Sequence, residues 1–294
     1  GGVVNVIDGR VPEEAAEGGL EGRFYAGATS VDEGYQFAGR ARFNTGPFVF
    51  HLEALQRASE DYEIPGYAES ARQRALEDDG HDDQSLARDE DEAHDDEEHA
   101  FGFVPSSDLE FSSGSVGASF VADWGFIGLA YKTMDGEYGL PGHSHGHEDE
   151  HGEDHDHALG DRIGFAINDD EHGHEDEAAR LVLTQNRWDI RGDINIADAP
   201  IERARFSIGI GDYRHREIEG DEIGTVFSNE GWEGRLELRH RPIGDVEGAF
   251  GLQAFSKDFA AIGDEAYIVP VETRDTGFFI VERYDAGDWG LEGG

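Results

Sequence analysis

The stretch "RWDIRGDINI" (187–196) decides the fold of this chain, because apolar and polar side chains alternate along it with a period of two. The apolar set is Trp188, Ile190, Ile194 and Ile196, and the polar set is Arg187, Asp189, Arg191, Asp193 and Asn195. Successive side chains of a β-strand point to opposite faces of the sheet. The stretch is therefore predicted to be a strand with one apolar and one charged face.

The same alternation recurs along the rest of the chain. It is clear in the segments 20–29, 48–57, 202–211 and 232–240, whereas 125–132 and 277–284 are more apolar throughout. No stretch has the spacing of a long amphipathic helix. The pattern predicts about eleven strands and an all-β fold.

The predicted connections alternate between short and long. Short turns are expected at 44–47, 122–125, 197–200, 242–245 and 285–288, and longer links at about 59–108, 137–177, 215–230 and 260–272. Consecutive antiparallel strands send alternate connections to opposite ends of a sheet. One end should then carry tight turns and the other long loops, as in an antiparallel transmembrane β-barrel of the outer-membrane type.

A soluble β-sandwich also has alternating strands, and it is the main structural alternative. Strands of about ten residues, the asymmetric loops and polar faces with charges of both signs favour the membrane barrel. The barrel predicts a lipid-facing set of Trp188, Ile190, Ile194, Phe206, Ile208, Ile210, Leu236 and Leu238. It predicts a lumen-facing set of Arg187, Arg191, Arg203, Arg205, Arg235 and Arg239.

Charge excludes one class of partner and is concentrated in two tracts. The net charge is −43, and nucleic-acid binding is not expected, because phosphate recognition needs clustered Lys and Arg. The segments 59–108 and 137–177 together hold 32 of the 66 acids and 4 of the 23 bases. The remainder of the chain is therefore only moderately acidic.

Other site chemistries find little support in the sequence. There is no cysteine, so disulfides and thiolate metal sites are excluded. No apolar run approaches the length of a transmembrane helix. The P-loop motif is missing, and the strings that match G-x-S-x-G (142–146) and H-E-x-x-H (147–151) lie in the glycine- and acid-rich loop 137–177, without the strand–turn–helix or the helix that these motifs need. No prosthetic group or enzymatic activity is therefore expected.

Several short segments of the sequence resemble motifs of a known family. "GGVVNVIDGRVP" (1–12) is similar to the end of the plug domain of TonB-dependent outer-membrane receptors. The segment 114–148, with "GFIGLA" and "YGLPGHSH", resembles the early barrel of zinc-uptake receptors of the ZnuD kind. "DYRH" and "ELRHRPIG", within 212–244, resemble a later hairpin of that family, and "IPGYAESARQRA" (64–75) resembles a preceding loop.

The resemblance implies an organisation and a location. Residues 1–12 would be the end of the plug, 13–19 a linker, and 20–294 the first part of the barrel. The chain would be a fragment, about half of a barrel of about 22 strands. The family implies the outer membrane of a Gram-negative bacterium, contact with outer-membrane lipid, and TonB as a partner through the plug region that this chain lacks.

The loop 137–177 contains the candidate metal ligands. They are His143, His145, His147, His151, His155, His157, His172 and His174, interspersed with Asp and Glu. Imidazole is a good ligand for Zn²⁺, and carboxylates can complete its coordination. Zinc, or another divalent metal, is therefore expected as the transported ligand. The alternative for these side chains is a solvated acidic loop without selective binding.

A second tract, 77–100, contributes His81, His94 and His99 and is more typical of a solvated charge run. His215 could face the vestibule, whereas His51 and His240 are interpreted as structural. Two functional alternatives stay open: a TonB-dependent receptor for haem or a siderophore, and a surface metal-binding or adhesion protein without transport. The acidic tract lacks the D-x-[DN]-x-[DN]-G spacing of a calcium loop, which disfavours the second.

Overall fold

In the part of the chain that the structure describes, eleven antiparallel strands form one continuous sheet, and two further strands form a separate hairpin. The computed structural model describes residues 9–75, 100–141, 179–220, 222–263 and 266–294. The strands are β1 (Leu20–Ala28), β2 (Tyr35–Thr45), β3 (Phe48–Ser59), β4 (Tyr62–Tyr67), β5 (Phe101–Val104), β6 (Leu109–Ala122), β7 (Gly125–Gly139), β8 (Arg180–Asn195), β9 (Ile201–Glu219), β10 (Glu222–His240), β11 (Val246–Gly263), β12 (Val271–Asp285) and β13 (Gly290–Gly293). In these described ranges, no helix is long and apolar enough to cross a membrane.

The strand order confirms the predicted meander of about eleven strands. The large sheet runs β1-β2-β3-β6-β7-β8-β9-β10-β11-β12-β13, so its strands follow one another in chain order and each pairs with the next one of the sheet. The hairpin β4–β5 is inserted between β3 and β6 and stands outside the sheet. The fold is all-β, and the open sheet has the form of a section of an antiparallel barrel wall.

One predicted long link is wrong. The segment 215–230 is not a loop, because β9 continues to Glu219 and β10 starts at Glu222. The turn between them contains Gly220, whose φ of 55° lies in the left-handed region that glycine adopts at little cost. The link predicted at 260–272 is also shorter, since β11 extends to Gly263 and β12 begins at Val271.

A short N-terminal segment identifies the inner face of the sheet. Val11 is 2% exposed and packs with Phe126 and Ala130 of β7. A side chain at Gly117 of β6 would collide with the carbonyl oxygen of Arg10, so glycine there permits the close approach of the two backbones. Residues 9–12 therefore lie directly on the face that Phe126 and Ala130 share, which we call the inner face.

The predicted lumen-facing arginines are on this inner face, as the alternation indicates. Arg187, Arg191, Arg205 and Arg235 line a hollow of about 610 Å³ together with Glu13 of the N-terminal segment. Arg203 and Arg239 line a smaller adjoining cavity.

The opposite, outer face carries an apolar band. Trp188, Ile208 and Ile210 are 48%, 39% and 49% exposed, as expected for side chains directed at lipid. Near the short turns, aromatic contacts join Phe48 with Phe120 and Phe120 with Trp124. Towards the long loops, the register aligns Tyr131, Trp188, Ile210 and Trp232 on neighbouring strands, and we call this set the girdle row.

The girdle row marks the upper limit of the apolar band on β7 to β10. The next outward-facing row contains Thr133, Asn186, Asp212 and Glu230, which are all polar. Bands of aromatic residues at the membrane–water boundaries are typical of transmembrane barrels. On β3 the apolar band extends one row beyond the girdle row towards the long loops, to Ala54. On β12 it ends closer to the short turns than the girdle row does, at Phe278. A gradual shift of this kind from strand to strand is expected when the strands are tilted relative to the membrane.

Candidate functional site

The eight candidate metal ligands of the histidine-rich loop, His143 to His174, lie outside the described residues. The same holds for His81, His94 and His99 of the acidic tract. The structure does describe the points at which both segments leave the sheet. Among the described residues, no group of three or more His, Cys, Asp or Glu side chains is placed to hold a metal.

The stem of the histidine-rich loop is closed by main-chain pairing. β7 ends at Gly139 opposite Arg180, the first residue of β8. One step further, the N–H of Leu140 donates to the carbonyl of Ala179 at 2.9 Å. The loop therefore starts and ends at neighbouring points of a continuous ladder, at the end of the sheet away from the short turns.

An ion pair joins the stems of the two acidic segments. The guanidinium of Arg180 donates to both carboxylate oxygens of Asp108, at 3.0 and 2.6 Å, and its Nε donates to Glu137 at 3.2 Å. Asp108 immediately precedes β6, so it closes the first long connection, whereas Arg180 closes the second. The paired hydrogen bonds with Arg180 lower the pKa of the Asp108 carboxyl below its ordinary value of 3.8.

Asp61 joins the start of the first long connection to its end, next to the ion pair of Asp108 and Arg180. Asp61 accepts hydrogen bonds from the backbone N–H groups of Ser107 and Asp108, at 2.8 and 3.1 Å. The N–H of Tyr62 donates to the hydroxyl of Ser107 at 2.8 Å. The described ends of both connections thus belong to one polar network, which joins the two connections where they leave the sheet.

His215 is a histidine that the structure places on the inner face near the long loops. Its ring stacks on Phe227, with centroids 4.4 Å apart, and its Nδ1 is 3.0 Å from the hydroxyl of Tyr213. Its Nε2 lies 3.9 Å from Glu217. The hydrogen bond at Nδ1 fixes the orientation of the ring and leaves Nε2 on the side of Glu217.

The other described histidines have structural contacts, as the sequence suggested. His51 is buried on the inner face beneath the N-terminal segment, with Nε2 3.7 Å from Glu53. His240, beside a short turn, has its two ring nitrogens 2.7 Å from the carbonyl of Arg241 and 3.0 Å from Glu282. Neither lies near the end of the sheet that carries the long loops.

The inner face between these two ends is a lattice of ion pairs. Arg187 contacts Asp189 at 3.1 Å and Glu233 at 2.9 Å, which links β8 with β10. Arg203 and Arg205 both contact Asp193, at 2.6 and 2.7 Å. Charges of both signs that are mutually paired suit a wall that faces water or a polar domain rather than lipid. The sequence predicted the arginines but not their partners.

Comparison with known proteins establishes the fold. No protein-family model matches this chain. The FrpB iron transporter from Neisseria meningitidis, F3-3 variant, aligns with a TM-score of 0.56 and 13% identity over 93% of this chain and 39% of that structure. The F5-1 variant aligns with a TM-score of 0.57 and 11% identity over 95% of this chain and 40% of that structure. The chain thus spans about 40% of the length of these structures and shares their backbone arrangement.

Proposed function

We propose that this chain is part of a TonB-dependent outer-membrane receptor that takes up a divalent metal, and that the metal is zinc. One observation carries the choice of metal: eight histidines among many carboxylates lie between residues 143 and 174, in a connection at the long-loop end of the sheet. Imidazole nitrogen favours zinc-like ions over Ca²⁺ and Mg²⁺, which prefer oxygen ligands.

The fold supports the membrane placement. The outer face presents an apolar band with aromatic residues at both limits, and the inner face presents paired charges. The solved structures that share this backbone are named as iron transporters. In the proposed orientation the short turns are periplasmic and the long acidic connections face the outside of the cell.

In the proposed mechanism, the metal is captured in two stages. The acidic connections create a negative potential that concentrates divalent cations near the loop end. Redundant histidines then bind zinc without forming a closed four-ligand site, so release is retained. The metal passes next to the inner face, where His215 and Glu217 are oriented towards each other. Movement past the plug, driven by TonB, completes uptake.

An iron-bearing substrate, such as haem or a siderophore complex, is the second candidate. The name of the FrpB structures favours it, since they are called iron transporters. A large organic substrate requires contacts to its organic part, whereas a histidine-rich loop binds a bare ion directly. The two candidates therefore differ in whether the histidines of the loop are needed.

Calorimetric titration of the folded protein distinguishes these candidates. Zn²⁺, Ca²⁺ and haem are titrated at 0.15 M salt, into the parent and into a variant in which the eight loop histidines are alanine. The proposal predicts selective binding of Zn²⁺ that the variant loses. Equal weak binding of Zn²⁺ and Ca²⁺, unchanged in the variant, contradicts it. Tight haem binding that survives the substitutions favours the second candidate.

A further inference from the structure

Two arginines on the outer face of the sheet have no acidic partner in the part of the chain that the structure describes. Arg214 and Arg216 lie on β9 beyond the girdle row, and the regular register with β8 keeps them on the same face as Ile210. Arg214 is exposed and Arg216 is half-buried. Among the residues that the structure describes, neither guanidinium lies within ion-pair distance of a carboxylate.

The other outward-facing arginines of the described strands are paired. Arg180 contacts Asp108 and Glu137, and Arg274 contacts Glu272. Both of these pairs also lie above the apolar band, so position alone does not decide whether an outward arginine has a partner. Arg214 and Arg216 therefore differ from Arg180 and Arg274 in having no described carboxylate within ion-pair distance.

The immediate surroundings of the two arginines are neutral. Arg214 lies opposite Thr184 and Ser228, and Arg216 lies opposite Val182 and Val226. On this face Asp212 and Glu230 lie one row closer to the apolar band, and Asp135 and Glu137 lie in the rows of the arginines but two strands away on β7. Three of these acids have other partners: Asn186 donates to Asp212 at 3.1 Å, Thr184 donates to Asp135 at 3.0 Å, and Arg180 contacts Glu137.

The backbone positions of the two arginines lie just above the headgroup layer of a bilayer. Arg214 is four residues beyond Ile210, which is the last apolar residue of β9 on this face. With a rise of about 3.3 Å per residue and a tilt of about 40°, it lies roughly 10 Å above the hydrocarbon boundary. Polar headgroups occupy roughly 5–8 Å on each side of the core. By the same count Arg216 lies roughly 15 Å above the boundary. An arginine side chain that lies back along the strand brings the guanidinium of Arg214 into this layer and that of Arg216 to its outer edge.

We propose that Arg214 and Arg216 bind the phosphate of an outer-leaflet glycolipid headgroup. The proposal rests on the outer-membrane placement argued above. A chain with a net charge of −43 is repelled by an anionic leaflet, and two guanidinium groups that no described carboxylate pairs and that can reach the headgroups supply a local attraction. The planar guanidinium donates paired hydrogen bonds to phosphate oxygens, which makes arginine well suited to this contact.

The test compares three probes with the purified, folded protein in detergent. They are lipopolysaccharide with its lipid A phosphates, the same glycolipid after enzymatic dephosphorylation, and inorganic phosphate. The double variant R214Q/R216Q removes the charges, and R274Q serves as a matched control, because Arg274 is outward-facing and above the band but paired. The variant R214K/R216K keeps the charges.

The expected loss is about fivefold in affinity for phosphorylated glycolipid per arginine, so about 25-fold in R214Q/R216Q. R274Q should change this affinity less than twofold, and R214K/R216K should retain most of it. If R214Q/R216Q does not fold, the single variants R214Q and R216Q carry the test at about fivefold each. Folding of every variant is checked by circular dichroism.

Three results would overturn the proposal. They are unchanged binding in R214Q/R216Q, equal binding of the dephosphorylated glycolipid by the parent, and inorganic phosphate that binds as tightly as the lipid. Zn²⁺ titration of the same samples separates this proposal from the proposed function. R214Q/R216Q should bind Zn²⁺ as the parent does, whereas a parent that binds no Zn²⁺ contradicts the proposed function without affecting the lipid result.

Discussion

Arg10 and Asp189 form an ion pair across the inner face, with 3.3 Å between Nη2 and Oδ2 and side-chain exposures of only 12% and 6%. Asp189 also accepts a hydrogen bond from Arg187 at 3.1 Å. The pair connects the first described residues of the chain to β8, far away in sequence. It acts together with the packing of Val11 on Phe126 and holds the N-terminal segment against the wall.

Replacing Arg10 by glutamine should destabilise the protein strongly. Asp189 would keep Arg187 but lose its second partner in a nearly buried position. A buried pair that loses one member costs on the order of 3 kcal/mol. The free energy of unfolding, measured by urea titration in lipid vesicles, should fall by about this amount, and protease should cleave residues 9–16 more rapidly.

Arg283→Gln is the control for that experiment. Arg283 contacts Asp285 at 3.2 Å, but both side chains are about half exposed, at 53% and 51%. Exposed pairs contribute about 1 kcal/mol or less. Equal losses in the two variants would show that the Arg10–Asp189 pair has no special role.

Gly117→Ala should displace the N-terminal segment. A β-carbon at this position would overlap the carbonyl oxygen of Arg10, and the backbone must shift to admit it. Overpacking of this kind costs about 1–3 kcal/mol. The matched control is Gly114→Ala on the same strand, where a β-carbon would be 3.9 Å from the nearest atom. Thermal unfolding of both variants is the measurement, and an equal change in the two would refute the close packing of residues 9–12.

The two faces of β9 should respond differently to a charge. Ile208 lies on the outer face within the apolar band, and its neighbour Ser207 lines the inner hollow. Ile208→Arg should cost about 1–2 kcal/mol of unfolding free energy in vesicles, because an arginine about 5 Å below the upper limit of the apolar band costs less than the roughly 2–4 kcal/mol at the midplane and more than the roughly 0–1 kcal/mol at the interface. Ser207→Arg should cost much less. A larger loss from Ser207→Arg would reverse the assignment of the faces.

The link between the two loop stems should weaken in acid. Because the pKa of Asp108 is lowered in the folded protein, its contribution to stability is present above the ordinary value of 3.8 and is lost as the pH falls through the folded value. Amide hydrogen exchange near Gly139 and Leu140 should therefore accelerate below about pH 4, relative to other strand ends. Asp108→Asn should exchange rapidly at pH 6 already and lose this pH dependence. A variant that behaves like the parent at both pH values would exclude a role for the carboxylate.

The strands and their faces could be predicted from sequence, because alternation is a local property. "RWDIRGDINI" specifies the directions of Trp188 and Arg191 without knowledge of any other strand. The ends of strands were harder to predict. The charged segment 212–219 has the composition of a loop, yet its backbone hydrogen bonds continue to a turn at Gly220 that only the partner strand makes favourable.

Contacts between distant segments could not be predicted from local patterns. Nothing near Arg10 in the sequence indicates Asp189, and nothing near Asp108 indicates Arg180, since each pair depends on the register of several strands. For the loop histidines, composition indicates metal binding but not which side chains act together. The "DYRH" motif indicates His215 as a candidate. Its stacking on Phe227 follows only from the register of β9 with β10, and its hydrogen bond with Tyr213 only from the positions of the side chains.

Zinc binding by the protein should depend on pH through the loop histidines. Protonated imidazole cannot coordinate a metal, so affinity should fall as the pH drops through about 6.5. The eight-alanine variant should show no such step in a Zn²⁺ titration between about pH 5 and 8. A parent whose affinity is constant over this range would indicate that carboxylates alone bind the metal.

Accumulation of radioactive ⁶⁵Zn²⁺ by cells is the direct measure of the proposed zinc uptake through the outer membrane. The protein and its eight-alanine variant are expressed at equal surface levels in a Gram-negative strain without its own zinc receptors, with and without functional TonB. The account predicts accumulation at low external zinc that requires TonB and falls in the variant. Accumulation that is the same with the protein, with the variant and with an empty vector would contradict it.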